Sequence, residues 1–216
     1  MTDAHAPIRL VLATRNAKKG RELLALLAPP WEPNPRLSRL RPETLDAHPE
    51  LPEPAEDAPD FAGNARIKAV AAAAALGCWA IADDSGLAVD ALGGAPGVHS
   101  ARYAGTHGDD AANNRKLIAE LADFLDDRRG AAFACALALA DADGTILAEA
   151  DGRCRGRITR DARGDHGFGY DPYFLIPEYH KTFAELGPTV KHQLSHRARA
   201  FARLRPLVDR LITNLG

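Results

Sequence analysis

Four apolar residues, Trp79 to Ala82, lead straight into two adjacent carboxylates, Asp83 and Asp84, and then Ser85-Gly86. Nothing else in the chain restricts its folding as much. Neighbouring carboxylates repel, so a fold that carries them out of bulk water has to provide a cation, a shared proton or a nearby Lys or Arg. The pattern predicts a buried strand that ends at the pair and a chain reversal at Ser85-Gly86. That leaves the acids where strand meets loop, a place where enzymes keep metal ligands. Gly93, Gly94 and Gly97, with Pro96 among them, follow before Ser100-Ala101-Arg102, and such residues let backbone approach a ligand closely. Alone, Asp-Asp-Ser-Gly is more often a solvated turn, so its meaning depends on partners elsewhere.

With 216 residues, 46% of them hydrophobic, the chain can bury one sizeable core, as a single domain or as two lobes sharing a sheet. A net charge of -2 argues against a protein that grips nucleic acid through a basic face. Cys78, Cys135 and Cys154 are odd in number and too widely spaced for a zinc site, which suits a reducing cytosol. Asp3 stands among the first residues with no basic-then-apolar leader around it, and no apolar run reaches membrane-spanning length. The expectation is a soluble cytoplasmic protein that engages no membrane.

Along the chain, Ile8 to Ala13 reads as a strand, Thr14-Arg15-Asn16 as a polar loop and Lys19 to Leu27 as a helix. Such a loop aims backbone N–H groups and a helix dipole at anions, and Lys18 and Lys19 add full charges, although both also suit an ordinary surface. Residues 29–60 are rich in proline and acid, an irregular connection with one strand around Arg36 to Leu40. Asn64 to Leu76 reads as an alanine-rich helix stopped by Gly77 and carrying Lys68. Asp110 to Leu125 is an amphipathic helix with Asn113, Arg115, Lys116 and Glu120 on its polar face, without assigned chemistry. Ala131 to Ala140, Thr145 to Ala150 and Arg153 to Ile158 read as an antiparallel meander, which makes the sheet mixed. Gly167 and Gly169 flank Phe168, freeing its ring to stack on a planar ligand or to fill a buried turn. Ser195 is a candidate N-cap for a C-terminal helix that Pro206 should kink or restart, with His196 and Arg197 in its first turn, where cations oppose the helix dipole.

Five blocks in this order carry a resemblance: LATRNAKK (Leu12 to Lys19), FAGNARIKA (Phe61 to Ala69), IADDSGLAVDALGGAPGVHSARYAG (Ile81 to Gly105), GFGYDPYF (Gly167 to Phe174) and KHQLSHR (Lys191 to Arg197). Together they resemble the inosine triphosphate pyrophosphatase family, hydrolases of non-canonical purine nucleoside triphosphates (ITP, dITP, XTP), across nearly the whole chain. The resemblance implies an elongated mixed α/β sheet flanked by helices, one two-lobed domain over residues 1–216 with a central cleft, and a homodimer. It implies a triphosphate loop running through Thr14, Arg15, Asn16, Ala17, Lys18 and Lys19. It further implies Mg²⁺ on Glu56 and Asp84, with Asp83 as an alternative ligand, and Asp84 as general base. Substrate contacts carry over to Lys68, Ser85, Phe168, Gly169, Tyr170, Asp171, Lys191, His196 and Arg197.

Arg15, Lys18, Asp60 and Gly63 depart from the usual family pattern, and Glu53 and Asp57 stand close enough to Glu56 to compete for its role. Two rivals remain. A Maf-type pyrophosphatase for pyrimidine or modified nucleotides shares the metal logic but not the GFGYD and SHR blocks. A nucleotide-binding module without turnover would have to place bare carboxylates beside phosphate, which repels them unless a metal intervenes.

Overall fold

The computed structural model describes residues 6–29 and 32–215. The residues around Asp3, and Pro30 and Trp31 in the proline-rich connection, lie outside that range. In chain order the elements are β1 (Ile8–Leu12), α1 (Ala17–Leu27), β2 (Leu40–Thr44), α2 (Phe61–Leu76), β3 (Trp79–Val89), α3 (Asp110–Glu120), β4 (Gly130–Ala140), β5 (Ile146–Ile158), β6 (Phe174–Ile176), β7 (Lys181–Thr182), α4 (Phe183–Leu194) and α5 (His196–Asn214). The strands form one sheet in the order β2-β1-β3-β4-β5-β6-β7. It is mixed, as expected: β1 runs parallel to β2 and β3, whereas β6 runs antiparallel to β5 and β7. Among the described residues, no helix is long and apolar enough to cross a membrane.

The chain divides into two compact units. The first comprises the residues up to Asp84, Ala136–Gly152 and those from Arg199 on; the second comprises Ser85–Cys135 and Arg153–Ala198. In the first unit the core is built of small residues. Ala65, Ala69, Ala72 and Ala73 of α2 pack with Val11, Ala80, Ala82, Ala136, Ala138 and Ala140 of the strands. Alanine on both surfaces lets helix backbone approach sheet backbone, which explains the long alanine run in that helix. The core of the second unit is larger-grained: Leu87, Val89, Leu117, Phe133, Tyr170, Phe174 and Phe183, with the Phe133 and Phe174 rings 4.5 Å apart.

Several elements differ from the sequence reading, each for a physical reason. β3 does not stop at the acid pair but continues to Val89, because Leu87 and Val89 are fully buried in the second core and pull the chain onward. Ser85-Gly86 is therefore extended strand, not a reversal. The two strands expected between Thr145 and Ile158 are one, whose outward Arg153, Arg155 and Arg157 alternate with inward Cys154, Gly156 and Ile158. The expected strand near Arg36 lies further on, at Leu40–Thr44, preceded by a single 3-10 turn. Helix α3 stops at Glu120, and Asn113, read as part of its polar face, is buried: its Oδ1 accepts the Ala104 N–H at 2.7 Å. Helix α5 runs through Pro206 as one helix. The break falls instead in α4, where Gly187 (φ 74, ψ 176) precedes Pro188.

A fully buried Arg129 closes the second unit. Its guanidinium donates to the carbonyls of Leu121 (2.7 Å), Ile158 (2.8 Å) and Thr159 (3.0 Å), joining the end of α3 to the end of β5. Burial holds the Arg129 pKa below its ordinary value. Arg129→Ala would remove a donor from each of those carbonyls, leaving Leu121 O the Phe124 N–H, and a loss of about 3 kcal/mol in denaturant unfolding is the expected outcome.

Candidate active site

Successive side chains on a strand point to opposite faces, and continuing β3 through Asp83 and Asp84 thereby separates two charges that would otherwise repel. Each acid meets its own lysine. Asp83, with a fully buried side chain, lies 3.1 Å from Lys19 Nζ of α1, and Asp84 Oδ1 lies 2.8 Å from Lys68 Nζ of α2. Burial raises the Asp84 pKa above its ordinary value, against the pull of Lys68 and Lys19. For Lys68, burial works against the ammonium, but Asp84, Asp83 and Glu56 outweigh it and its pKa is raised.

Glu56 joins the same ammonium, its Oε2 3.3 Å from Lys68 Nζ. Two carboxylates far apart in sequence thus converge on one cation. Among the described residues no three His, Cys, Asp or Glu side chains are grouped to hold a metal by themselves. Mg²⁺ does not require that: it takes one or two carboxylates and completes its octahedron with water and substrate phosphate oxygens. The Glu56 and Asp84 pair, already gathered around a positive charge, fits such an ion.

The segment that delivers Glu56 has little regular structure and is held at both ends. Downstream, Asn64, buried in the first turn of α2, accepts the Ala58 N–H on Oδ1 (3.0 Å) and donates from Nδ2 to Asp84 Oδ2 (3.2 Å). One amide therefore sets the distance between the Glu56 segment and Asp84. Asp60 caps the helix through Gly63 N–H (2.7 Å), and a Cβ on Gly63 would come within 2.5 Å of Ala58 Cβ. The glycine at 63 thus permits this close approach of the Glu56 segment to α2. Upstream, Arg15 donates to the carbonyls of His48 and Leu51 and lies 3.5 Å from Glu53.

In the expected triphosphate loop, Asn16 is the N-cap of α1, and its Oδ1 accepts the N–H groups of Lys18 and Lys19, both at 3.0 Å. Thr14 Oγ1 accepts the Asn16 N–H at 3.2 Å. Ala17 and Lys18 are exposed and Lys19 half-buried. Of the loop's cations, Lys19 reaches the acid pair, whereas Arg15 is turned to the proline-rich segment.

The remaining predicted residues lie in the second unit. Phe168 is half-buried, with Lys191 Nζ 4.6 Å and Arg197 Cζ 5.5 Å from its ring centroid. Asp171 organises this loop: its Oδ2 accepts the Phe168 N–H at 2.9 Å and meets Lys191 Nζ at 2.7 Å. Gly167 has to be glycine, since φ is 81 and a Cβ would fall 2.1 Å from Asp171 Oδ2. Arg197 donates to Ser85 Oγ at 2.7 Å. Tyr170 is core: its hydroxyl donates to the Ser100 carbonyl at 2.8 Å, and burial pushes its phenol pKa up. The buried His196 ring stacks on Phe133 at 4.9 Å. A 770 Å³ concavity elsewhere in this unit, lined by Asp90, Phe124, Arg128, Arg155 and Arg157 among others, holds none of the predicted residues.

Sequence reasoning gave no role to Asn64, although a buried amide in an alanine-rich helix is a visible anomaly, since Asn is a poor helix former. It also gave none to Asp110 and Asn114, which contact the Phe168 loop.

The model of the Ham1 family matches residues 10–207. The chain is 52% identical over 203 residues to a dITP/XTP pyrophosphatase of Rhodopirellula baltica, covering 94% of each chain. It is 47% identical to one of Streptomyces coelicolor, over 94% of this chain and 98% of that one. Among solved structures it is similar to a HAM1 protein from Coxiella burnetii, with a TM-score of 0.81, 36% identity and coverage of 94% and 99%.

The strap made by Arg15 is testable without any substrate. Arg15→Ala is expected to raise amide hydrogen exchange across residues 48–57 by about tenfold while leaving α2 protected, as read by mass spectrometry.

Proposed function

Because the chain belongs to the Ham1 family, we propose that it hydrolyses non-canonical purine nucleoside triphosphates, such as dITP and XTP, to the monophosphate and pyrophosphate. The observation that carries this reading is the convergence of Glu56 and Asp84 on Lys68, with Asp83 and Lys19 beside them. Hydrolysis of a phosphoanhydride asks for charge neutralisation and an oriented nucleophile, with little covalent work from the protein.

Lys19 and Lys68 supply positive charge to the triphosphate tail, and Thr14, Asn16 and Lys18 frame it. Glu56 and Asp84 would hold Mg²⁺, with Asp83 as the alternative ligand; when bound, the ion supplies charge neutralisation at the phosphate oxygens. Burial makes Asp84 a better proton acceptor than an exposed carboxylate. Asp84 orients a water and takes its proton as the oxygen bonds to the α-phosphorus. The bond from that phosphorus to the bridging oxygen breaks, and the electron pair leaves with pyrophosphate.

Base choice belongs to the second unit. Phe168 stacks on the purine, in the loop formed with Gly169, Tyr170 and Asp171, while Lys191, His196 and Arg197 present donors. Hypoxanthine and xanthine offer an acceptor oxygen at C6 where adenine offers an amino donor, so a donor site welcomes the first two and leaves adenine's group unpaired. The same reading includes a homodimer working in the cytoplasm.

Asp84→Asn is expected to lower turnover of ITP by about 10³ while nucleotide binding stays measurable; turnover near that of the wild type would remove Asp84 from the reaction. In a panel of ITP, XTP, GTP and ATP, kcat/KM for ITP should exceed that for ATP by at least about 10². Equal values would refute the donor reading of the base site.

A further inference from the structure

Helix α3 contributes nothing to the chemistry above, yet it grips the loop that carries Phe168. Gly169 is held on both sides of its backbone. Its N–H donates to Asp110 Oδ2 at 2.8 Å, and its carbonyl accepts from Asn114 Nδ2 at 2.9 Å. The two side chains stand one turn apart and are themselves tied, since Asn114 Nδ2 also donates to the Asp110 carbonyl at 2.9 Å. Asn114 is only 9% exposed, so its Nδ2 is committed to these partners and not to water.

The loop needs such a hold. Gly167 and Gly169 both have positive φ, 81 and 61, conformations that glycine adopts at an entropic cost on ordering. Asp171 fixes one side by accepting the Phe168 N–H; α3 fixes the other. Asp110 is also the first residue of its helix, where a carboxylate complements the dipole. Between these two anchors, the backbone that carries Phe168 is held from both sides.

We infer that Asp110 and Asn114 are positioning residues for base recognition: by clamping the Gly169 peptide they hold Phe168 where a purine stacks. The inference rests on the proposed role of Phe168 as the base platform. A misplaced platform weakens binding of the base and leaves the phosphate chemistry of the other unit intact, so the effect falls on KM and not on kcat.

The test compares Asp110→Ala, Asp110→Asn, Asn114→Ala and Phe168→Ala in steady-state hydrolysis of ITP and in equilibrium binding of IMP and of inorganic pyrophosphate. Asp110→Ala and Asn114→Ala should raise KM for ITP and Kd for IMP about tenfold, with kcat and pyrophosphate affinity changed by less than about twofold. Asp110→Asn retains an acceptor oxygen and should restore KM to within about twofold of the wild type. A merely structural role would lower Tm and leave KM unmoved, which overturns the inference. If Asn114→Ala fails to fold, the half-buried Asp110 decides through its Ala and Asn pair. Phe168→Ala separates the two failures. A raised KM there without one in Asp110→Ala sinks the clamp alone; an unchanged KM in Phe168→Ala sinks the platform reading and the clamp with it.

Discussion

Two carboxylates sit side by side in the middle of a buried strand, and the first unit is arranged around making that tolerable. An isolated ionised carboxylate out of water costs several kcal/mol even after relaxation, so a bare pair would protonate or unfold the strand. The chain answers with one lysine for each: Lys19 from α1 for Asp83 and Lys68 from α2 for Asp84. Both helices are thus fixed to β3 by charge, and α2 by packing as well. The alanine surfaces of α2 and the strands bring helix and sheet close enough for a lysine two turns into the helix to reach an acid on the strand. The same cluster leaves one carboxylate easier to protonate than usual and two carboxylates turned towards one cation. The electrostatic solution to burying the pair is also the arrangement that phosphoanhydride chemistry needs.

The second unit solves a different problem, the placing of an aromatic ring on an irregular loop. It does so with polar groups. Asp171 accepts from the loop backbone and pairs with Lys191, and α3 grips Gly169. Polar networks of this kind specify one geometry more sharply than apolar contact does, because each bond that is lost costs the desolvation of its partner. Phe133, Phe174 and Phe183 supply the apolar floor on which His196 is stacked. Under the proposed function, recognition and chemistry draw on separate sets of interactions, so substitutions in one set are expected to be separable from those in the other.

Much of the architecture was legible. Apolar runs located β1 and β4, a period of 3.6 located α1 and α5, alanine-rich composition with the Gly77 stop located α2, and Ser195 caps α5 through the Ala198 N–H as its position suggested. The acid pair and its lysines were readable as residues that need one another, because charge compensation is a rule that holds wherever the chain goes. What could not be read was direction and burial. Asp-Asp-Ser-Gly has the composition of a turn, and only the apolar partners awaiting Leu87 and Val89 in another core make it strand. Asn113 and Asn114 look like surface residues, and their burial follows from loops at Ala101, Ala104 and Gly169 folding back onto α3. Arg15 sits in a sequence that reads as a phosphate loop but spends its guanidinium on carbonyls more than thirty residues away.

By itself the sequence determined the mixed α/β class, the presence of α1, α2, α3 and α5 and the set of charged residues from which a site had to be made, because periodicity, capping and charge are local properties. The tertiary structure alone decided which acid meets which lysine, that one asparagine spans Asp84 and the Glu56 segment, and that a helix without chemistry of its own holds the aromatic loop. Those are contacts between residues distant along the chain. Their partners are chosen by packing, and no local pattern encodes packing.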